Sequence, residues 1–568
     1  MSLLDGIDRA VRDHPDDAAL RGADGAISYR QFGGLVDDLA RRLEDVTAPG
    51  EFVGIDGRRG PGAIVAMVAA VRARRPFVVI DGRDSDASNA AKVRLLGVRV
   101  LARALPGDDG RVDLADVPAP WRAGAADGPR EWLFADGEIC YAIRTSGSTG
   151  EPKCVLVRTA PLAAVIRDHV DRLSVGPGCV TLQFARLTFD GCITEIFWTL
   201  TAGACLVVLE ERHLAPGAAL QGTLEHHGVT HLKTTPFALT ATAPTPAMRL
   251  RHVINGGGAC RLAVIRAWSA VATFHNAYGL TETTVCNLLT GPLDPGECHE
   301  RVPLGDLVGD CGYHVRTTDA DGPGTGGAAV RGELVITGAS VAAGYLTEHG
   351  LQPFDPDGYR TGDVVELRDG HLHFVERLDR QVKVRGYRLD PGEIENAVCR
   401  LEPVRDAVVT AEAHDGSDTA EHVALVCYYQ GDVDPRAVRR HLECVLDPYK
   451  VPSVFRRVDA LPYTVNGKVD RDALRAGRRA DAATATGPGD GADGTSPGLQ
   501  VLQIVRSLTG IGDVGLDDNF FDVGGDSASA VVLVSRMKEL GWVDAGVRDV
   551  LRAENLRVLA DRLRERSV

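Results

Sequence analysis

Thr145-Ser146-Gly147-Ser148-Thr149-Gly150-Glu151-Pro152-Lys153 is the stretch on which the reading of the fold turns. It directly follows an apolar run, Ile139-Cys140-Tyr141-Ala142-Ile143. Glycines let backbone amides approach an anion, and four hydroxyls add further donors. Lys153 adds a point charge. The stretch is not a Walker A loop, because Pro152 stands where a second glycine is needed and Cys154 follows the lysine. A plain Ser/Gly turn is the bland alternative. The concentration of donors behind a strand favours a phosphate loop made of Thr145, Ser146, Gly147, Ser148, Thr149, Gly150 and Lys153.

Outward from this loop, residues 1–375 alternate short Val/Ile/Leu runs with Ala-rich amphipathic stretches. The runs include 77–80, 205–209 and 333–337. Such runs suit buried strands, and their alternation with helices predicts an α/β architecture. Residues 377–475 read as a smaller α+β unit, with strands near 407–413 and 422–430. Residues 476–495 hold almost no large apolar side chain, which is linker composition. A flexible chain of that length has a root-mean-square span of roughly 25 Å. Residues 496–568 carry helical periodicity at Leu533, Met537 and Leu540, as in a small helical bundle. The expected domains are thus 1–376, 377–475, a linker at 476–495, and 496–568.

The chain has 568 residues, 44% hydrophobic and 25% charged, which is enough for several packed cores. A formal charge of −15 repels phosphate backbones, so nucleic acid is not an expected partner. The twelve cysteines form no CxxC pair and no zinc-type cluster with histidine, as in a reducing compartment. The N-terminus lacks the basic start and apolar run of a signal peptide, and no membrane-length apolar segment occurs. The expectation is a cytoplasmic protein without a membrane partner.

Further motifs follow in order. They are Asn276-Ala277-Tyr278-Gly279-Leu280-Thr281-Glu282-Thr283-Thr284, then Gly332-Glu333-Leu334 with Gly344-Tyr345-Leu346, then Tyr359-Arg360-Thr361-Gly362-Asp363. Next come Arg377-Leu378-Asp379-Arg380-Gln381-Val382-Lys383-Val384-Arg385-Gly386 and Asn466-Gly467-Lys468-Val469-Asp470-Arg471. Together with the phosphate loop, this set resembles the adenylate-forming superfamily, and in particular the adenylation domains of nonribosomal peptide synthetases. Asn519-Phe520-Phe521-Asp522-Val523-Gly524-Gly525-Asp526-Ser527 resembles the phosphopantetheine attachment motif of peptidyl carrier proteins. A helix N-cap is the bland reading of Ser527. Ala528 stands where the motif usually has Leu or Ile, and Glu376 where a glycine usually precedes the arginine.

The resemblance implies an α/β fold: a large N-terminal adenylate-forming subdomain with sheets and helices, a small α+β C-terminal subdomain, and an all-α four-helix carrier domain. It implies attack of a carboxylate on the α-phosphate of ATP, a step catalysed by positioning and charge stabilisation. Lys468, Glu282 and Thr281 take catalytic roles, with Glu282 holding Mg²⁺. Gly257, Asn276, Ala277, Tyr278, Gly279, Asp363 and Arg377 bind adenine and ribose. Asp379 is the hinge, and Ser527 carries 4′-phosphopantetheine. The implied partners are an amino acid, a phosphopantetheinyl transferase, and a downstream tailoring enzyme or condensation domain, with room for a small helper protein. No HHxxxDG or GxSxG motif is present, so peptide bond formation and release are expected elsewhere.

By the same resemblance the substrate pocket comprises Asp190, Gly191, Thr194, Lys233, Ile254, Gly256, Ala277, Val285, Cys286 and Lys468. Asp190 would anchor the α-ammonium, since a buried charge needs a partner. Lys233 is the unusual member. If it points inward, its partner is the substrate, and the set resembles aspartate-activating pockets. Asparagine satisfies the same lysine, and Gly191 leaves room for a β-substituted aspartate. If Lys233 points to solvent, that reading lapses. Two further alternatives stay open: an acyl- or aryl-acid CoA ligase-like enzyme, and a non-enzymatic adenylate-binding protein.

Overall fold

A computed structural model describes residues 2–23, 25–105, 109–122, 134–135, 137–145, 152–258, 262–296, 298, 301–317, 330–378, 381–384, 387–413, 423–462, 469, 471, 473–474, 497–509, 514–520, 525, 530, 533–534, 536–538, 540, 542, 546, 549–550 and 553–566. The chain forms two compact units, one running to Arg388 and one beginning at Leu389. The first unit therefore continues past 376. Tyr387 packs its ring on Phe189 at 4.6 Å, and Arg388 pairs with Glu282, which ties this short segment to the first unit.

Two large sheets build the first unit. An eight-stranded sheet has a parallel centre, with Phe77–Ile80 between Val53–Asp56 and Ile139–Thr145. The apolar run 77–80 is buried at every residue, as a strand covered on both faces requires. Ile139–Thr145 then turns back as a hairpin with Lys153–Arg158.

The nine-stranded sheet contains three adjacent parallel strands, His231–Thr234, His252–Asn255 and Thr273–Tyr278. Lys233 lies opposite Ile254, and Asn255 opposite Asn276. His231, His252 and His275 stack across these strands with centroids 5.1 and 5.2 Å apart. Burial and the neighbouring imidazoles depress the His252 pKa to about 4. Helix Gly191–Thr201 is buried almost throughout and carries Phe197 and Trp198 into the main core. An antiparallel four-stranded sheet, Cys311–Thr317, Val330–Gly338, Tyr359–Arg368 and His371–Arg377, holds the later motifs.

In the second unit, Val404–Ala413 and Val423–Gly431 pair antiparallel, and Val454–Arg457 joins in parallel. These strands match the expected α+β unit, with helices Pro391–Cys399 and Pro435–Val445. A separate apolar cluster gathers Val505, Phe520, Leu533, Met537 and Leu559 around helices Pro497–Thr509 and Leu556–Arg566. Leu540, expected on the same apolar stripe, is instead exposed. No helix among the described residues is long and apolar enough to cross a membrane.

Candidate active site

The hairpin Ile139–Thr145/Lys153–Arg158 places Thr145 directly opposite Lys153. Both ends of the phosphate-loop stretch are thereby fixed on one rung. The Thr145 hydroxyl is buried without a hydrogen-bond partner among the described residues, which fits a donor kept for a ligand. The Lys153 ammonium lies 3.7 Å from the centre of the Tyr345 ring. Ser146, Gly147, Ser148, Thr149 and Gly150 lie outside the described residues, as do Lys468, Asp379 and Ser527.

The strand Thr273–Tyr278 runs into a tight turn. A side chain at Gly279 would stand 2.4 Å from the Val285 carbonyl oxygen, so only glycine permits this approach. Thr281–Thr283 makes one 3₁₀ turn, and Thr284 and Val285 follow at φ 63° and 62°. Left-handed backbone at two β-branched residues is strained, and such strain clusters at functional sites. It is held by the Thr284 hydroxyl donating to Ser340 O at 2.6 Å and by Asn287 Nδ2 donating to Thr283 O at 2.7 Å.

This turn buries Glu282. Its Oε1 accepts from the Tyr345 hydroxyl at 2.7 Å and its Oε2 from Arg388 at 3.1 Å. Burial alone would raise the carboxyl pKa. Arg388, and then the Tyr345 hydrogen bond, hold it below the usual carboxylate range. A buried, ionised carboxylate fits a hard divalent cation that takes its other ligands from phosphate and water. No group of three potential metal-ligating side chains occurs among the described residues.

Among the residues expected to bind nucleotide, Asp363 accepts from the Tyr278 hydroxyl at 2.6 Å and from Arg377. Asp363, Tyr278 and Arg377 are thus brought together, as expected for a ribose site. The Tyr278 hydroxyl is fixed on Asp363 and the ring is buried. Asn276 is also braced: its Nδ2 donates to Pro303 O at 2.9 Å, and its Oδ1 accepts from Asn255 at 2.9 Å. Gly257 has φ 78°, a turn conformation that favours glycine, at the end of the neighbouring strand. Ala277 lies beside Asn276 and packs on the main core.

The residues expected to line the substrate pocket differ in chemistry. Asp190 opens helix Gly191–Thr201 without capping it. Its Oδ2 is buried and has no hydrogen-bond partner among the described residues. Burial pushes the Asp190 pKa up, only partly offset by the Thr281 hydroxyl and the charge of Lys233. Lys233 points inward: it is 9% exposed, and its ammonium donates to Thr194 Oγ1 at 2.7 Å. Lys233 forms no ion pair among the described residues. A side chain at Gly256 would touch the Lys233 stem at 3.5 Å, and one at Gly191 would meet only Ala185, at 3.4 Å. Ile254 faces Lys233 across the sheet, while Val285 and Cys286 are buried on the strained turn. Burial raises the Cys286 pKa to about 11, so it stays a thiol.

Two participants were not evident from the motifs. Arg388 lies just beyond the quoted hinge motif, and only the fold brings it to Glu282. Glu195 follows Thr194 and receives Phe184 N and Gln183 Nε2 at 3.0 Å each. Burial nevertheless lifts its pKa to about 7.

Comparisons with known proteins agree with this arrangement. Residues 7–346 match the AMP-binding enzyme family, residues 393–468 the AMP-binding enzyme C-terminal domain, and residues 500–563 the phosphopantetheine attachment site. The chain is 32% identical over 566 residues to novobiocin biosynthesis protein H of Streptomyces niveus, covering 94% of this chain and 91% of that protein. It is 32% identical over 575 residues to bacitracin synthase 3 of Bacillus licheniformis, covering 97% of this chain and 9% of the relative. It spans only 9%, 22% and 7% of three long curated relatives. The structure of holo-PA1221, an NRPS protein containing adenylation and PCP domains, superposes with a TM-score of 0.78 at 25% identity, covering 99% of this chain and 96% of that one. The Vibrio cholerae adenylation domain AlmE shares the fold at a TM-score of 0.70 and 20% identity, covering 84% of this chain and 98% of that one. With three consecutive family matches along its length and the motif geometry of its first unit, the chain belongs to the AMP-binding enzyme family, in the adenylation–carrier arrangement of nonribosomal peptide synthetases.

Proposed function

We propose that this protein activates an amino acid with a short acidic or amide side chain as its aminoacyl-adenylate and loads it onto its own carrier domain. The observation that carries this reading is a pocket that buries Asp190 with one oxygen unmet and Lys233 with its ammonium hydrogen-bonded, among the described residues, to Thr194 alone. A buried charge requires a partner. An α-ammonium satisfies Asp190, and a side-chain oxygen satisfies Lys233. Taken alone, Lys233 speaks for L-aspartate, whose carboxylate supplies a full counter-charge. Asparagine or a β-substituted aspartate also offers an oxygen, and Gly191 leaves space for the substituent.

The chemistry follows from two anions having to meet. A carboxylate oxygen attacks the α-phosphorus, a P–O bond to the β-phosphate breaks, and pyrophosphate leaves. Thr145 and Lys153 stand at the ends of the loop that would hold the phosphates, and Lys468 would bridge carboxylate and phosphate. Glu282 would hold Mg²⁺, which supplies charge neutralisation at phosphate oxygens. Asp363 would accept from the ribose hydroxyls while Arg377 and Tyr278 keep its carboxylate in place. Ser527 would carry 4′-phosphopantetheine, which supplies the thiol that takes the aminoacyl group.

ATP–pyrophosphate exchange over twenty amino acids plus substituted aspartates tests the first half. Exchange confined to aspartate, asparagine and their derivatives is expected. Preferred exchange with a large apolar amino acid, or with aryl acids, would remove the reading. For the second half, intact mass after treatment with a transferase and CoA should show the arm on Ser527, and Ser527→Ala should lose it.

A further inference from the structure

Trp198, beside Lys233, also packs against a buried histidine. His169 sits on helix Thr159–Arg172 and is fully buried. Its Nδ1 is 2.8 Å from Val165 O. A carbonyl only accepts, so Nδ1 carries the proton and Nε2 presents a lone pair. That Nε2 is buried and has no hydrogen-bond partner among the described residues.

The ring stacks on Trp198, with centroids 5.4 Å apart. Trp198 commits its own N–H to Thr181 Oγ1 at 3.3 Å, so it is not a donor to the histidine. Trp198 lies four residues after Thr194, on the same helical face. The Lys233 ammonium is 6.0 Å from the centre of that same indole. Burial, and then the charge of Lys233, push the imidazole pKa down to about 3. His169 is thus neutral over the working range, and its free nitrogen can only accept.

The donors nearby are already assigned. Thr194 gives its hydrogen to Gly191 O at 2.9 Å and accepts from Lys233. Lys233 has three hydrogens, and Thr194 takes one of them. This layer therefore offers spare donors at Lys233 and a spare acceptor at His169. A carboxamide matches both, its oxygen facing Lys233 and its NH₂ facing Nε2. A carboxylate presents oxygen on both sides and leaves the Nε2 lone pair opposed or bridged by water.

We propose that His169 is a further specificity-determining residue, accepting a hydrogen bond from a donor on the substrate side chain and so selecting the carboxamide over the carboxylate. This rests on the pocket reading above and deepens it. Because a buried acceptor left unmet weakens binding by roughly ten- to hundredfold, the effect should appear in relative kcat/KM.

The test uses the full chain and pyrophosphate exchange with L-asparagine and L-aspartate. Wild type should favour asparagine. His169→Leu should lower the asparagine-to-aspartate ratio of kcat/KM by at least about tenfold. His169→Gln, which keeps an acceptor oxygen, should restore most of it. Thermal melting reports whether each variant is folded. If His169→Leu does not fold, His169→Met against His169→Gln gives the same comparison. An unchanged ratio in a folded Leu or Met variant, or a wild type that prefers aspartate, overturns the proposal. Lys233→Met separates the two levels. If it loses both substrates while His169→Leu leaves their ratio alone, only His169 is wrong. If Lys233→Met activates both undiminished, the pocket reading itself fails.

Discussion

Glu282 and Asp190 are carboxylates in one compact unit with opposite electrostatic fates. Glu282 is buried with Arg388 and Tyr345 on its two oxygens, and its pKa falls. Asp190 is buried with one oxygen unmet, and its pKa rises. The first is charged before any ligand arrives. The second is held in an environment that a cation would relieve. The difference teaches that Glu282 is preorganised by its protein partners, whereas Asp190 keeps a charge deficit that the proposed ammonium would remove. On the proposed reading, a ligand without an ammonium would leave Asp190 unsatisfied.

The largest effect should come from making Asp190 indifferent to charge. Asp190→Asn leaves a bound ammonium without its counter-ion, and an unpaired buried charge costs about 3–5 kcal/mol. Exchange kcat/KM should fall about a hundred- to a thousandfold, mainly through KM for the amino acid; an unchanged KM would show that the ammonium binds elsewhere. Lys233→Met probes the other charge. Activation of aspartate and asparagine should drop by a similar factor while small apolar amino acids gain relative to them, as an exchange panel would show.

Arg388→Met would turn Glu282 into a second Asp190, a buried carboxylate with one partner removed. Loss of stability of about 2–3 kcal/mol is expected, below the range for a fully buried pair because Arg388 is partly exposed. Denaturant melting measures it, and Arg388→Lys should recover part. Gly279→Ala attacks the turn that positions Glu282, because the added carbon meets the Val285 carbonyl. Overpacking of about 1–3 kcal/mol should lower the melting midpoint, together with exchange activity.

The smallest effect is a slope in pH. His252 has its folded pKa depressed from 6.5 to about 4, so its contribution to stability is present above 6.5 and is lost as pH falls from 6.5 through 4. His252→Phe should flatten that part of the stability curve, read from melting midpoints between pH 7 and 4. An equally steep curve in the variant would assign the slope to other groups.

Much of this was legible in the sequence because motif residues sit where strands end. Thr145 ends one strand, Lys153 begins the next, Glu282 follows a strand by one short turn and Asp363 lies within a strand directly after Gly362, and local patterns of glycine, hydroxyl and charge mark them. Lys233 could be placed on a strand, but only the register against Ile254 and the bond to Thr194 decide that it faces inward. Arg388 and His169 carry no such local signal. Each matters through a contact remote in sequence, with Glu282 for the first and with Trp198 for the second, and composition near either is ordinary. Leu540 shows the converse, since an apolar spacing by itself does not bury a side chain.

The rung that pairs Thr145 with Lys153 has a consequence for chain entropy. Bringing the two ends of a segment together lowers its conformational freedom, and that loss grows only slowly with segment length. Here the sheet has closed the segment before nucleotide arrives, so none of the closure term is charged to binding. On the proposed reading, the threonine and lysine that would flank the phosphates are thus held in register by the sheet itself.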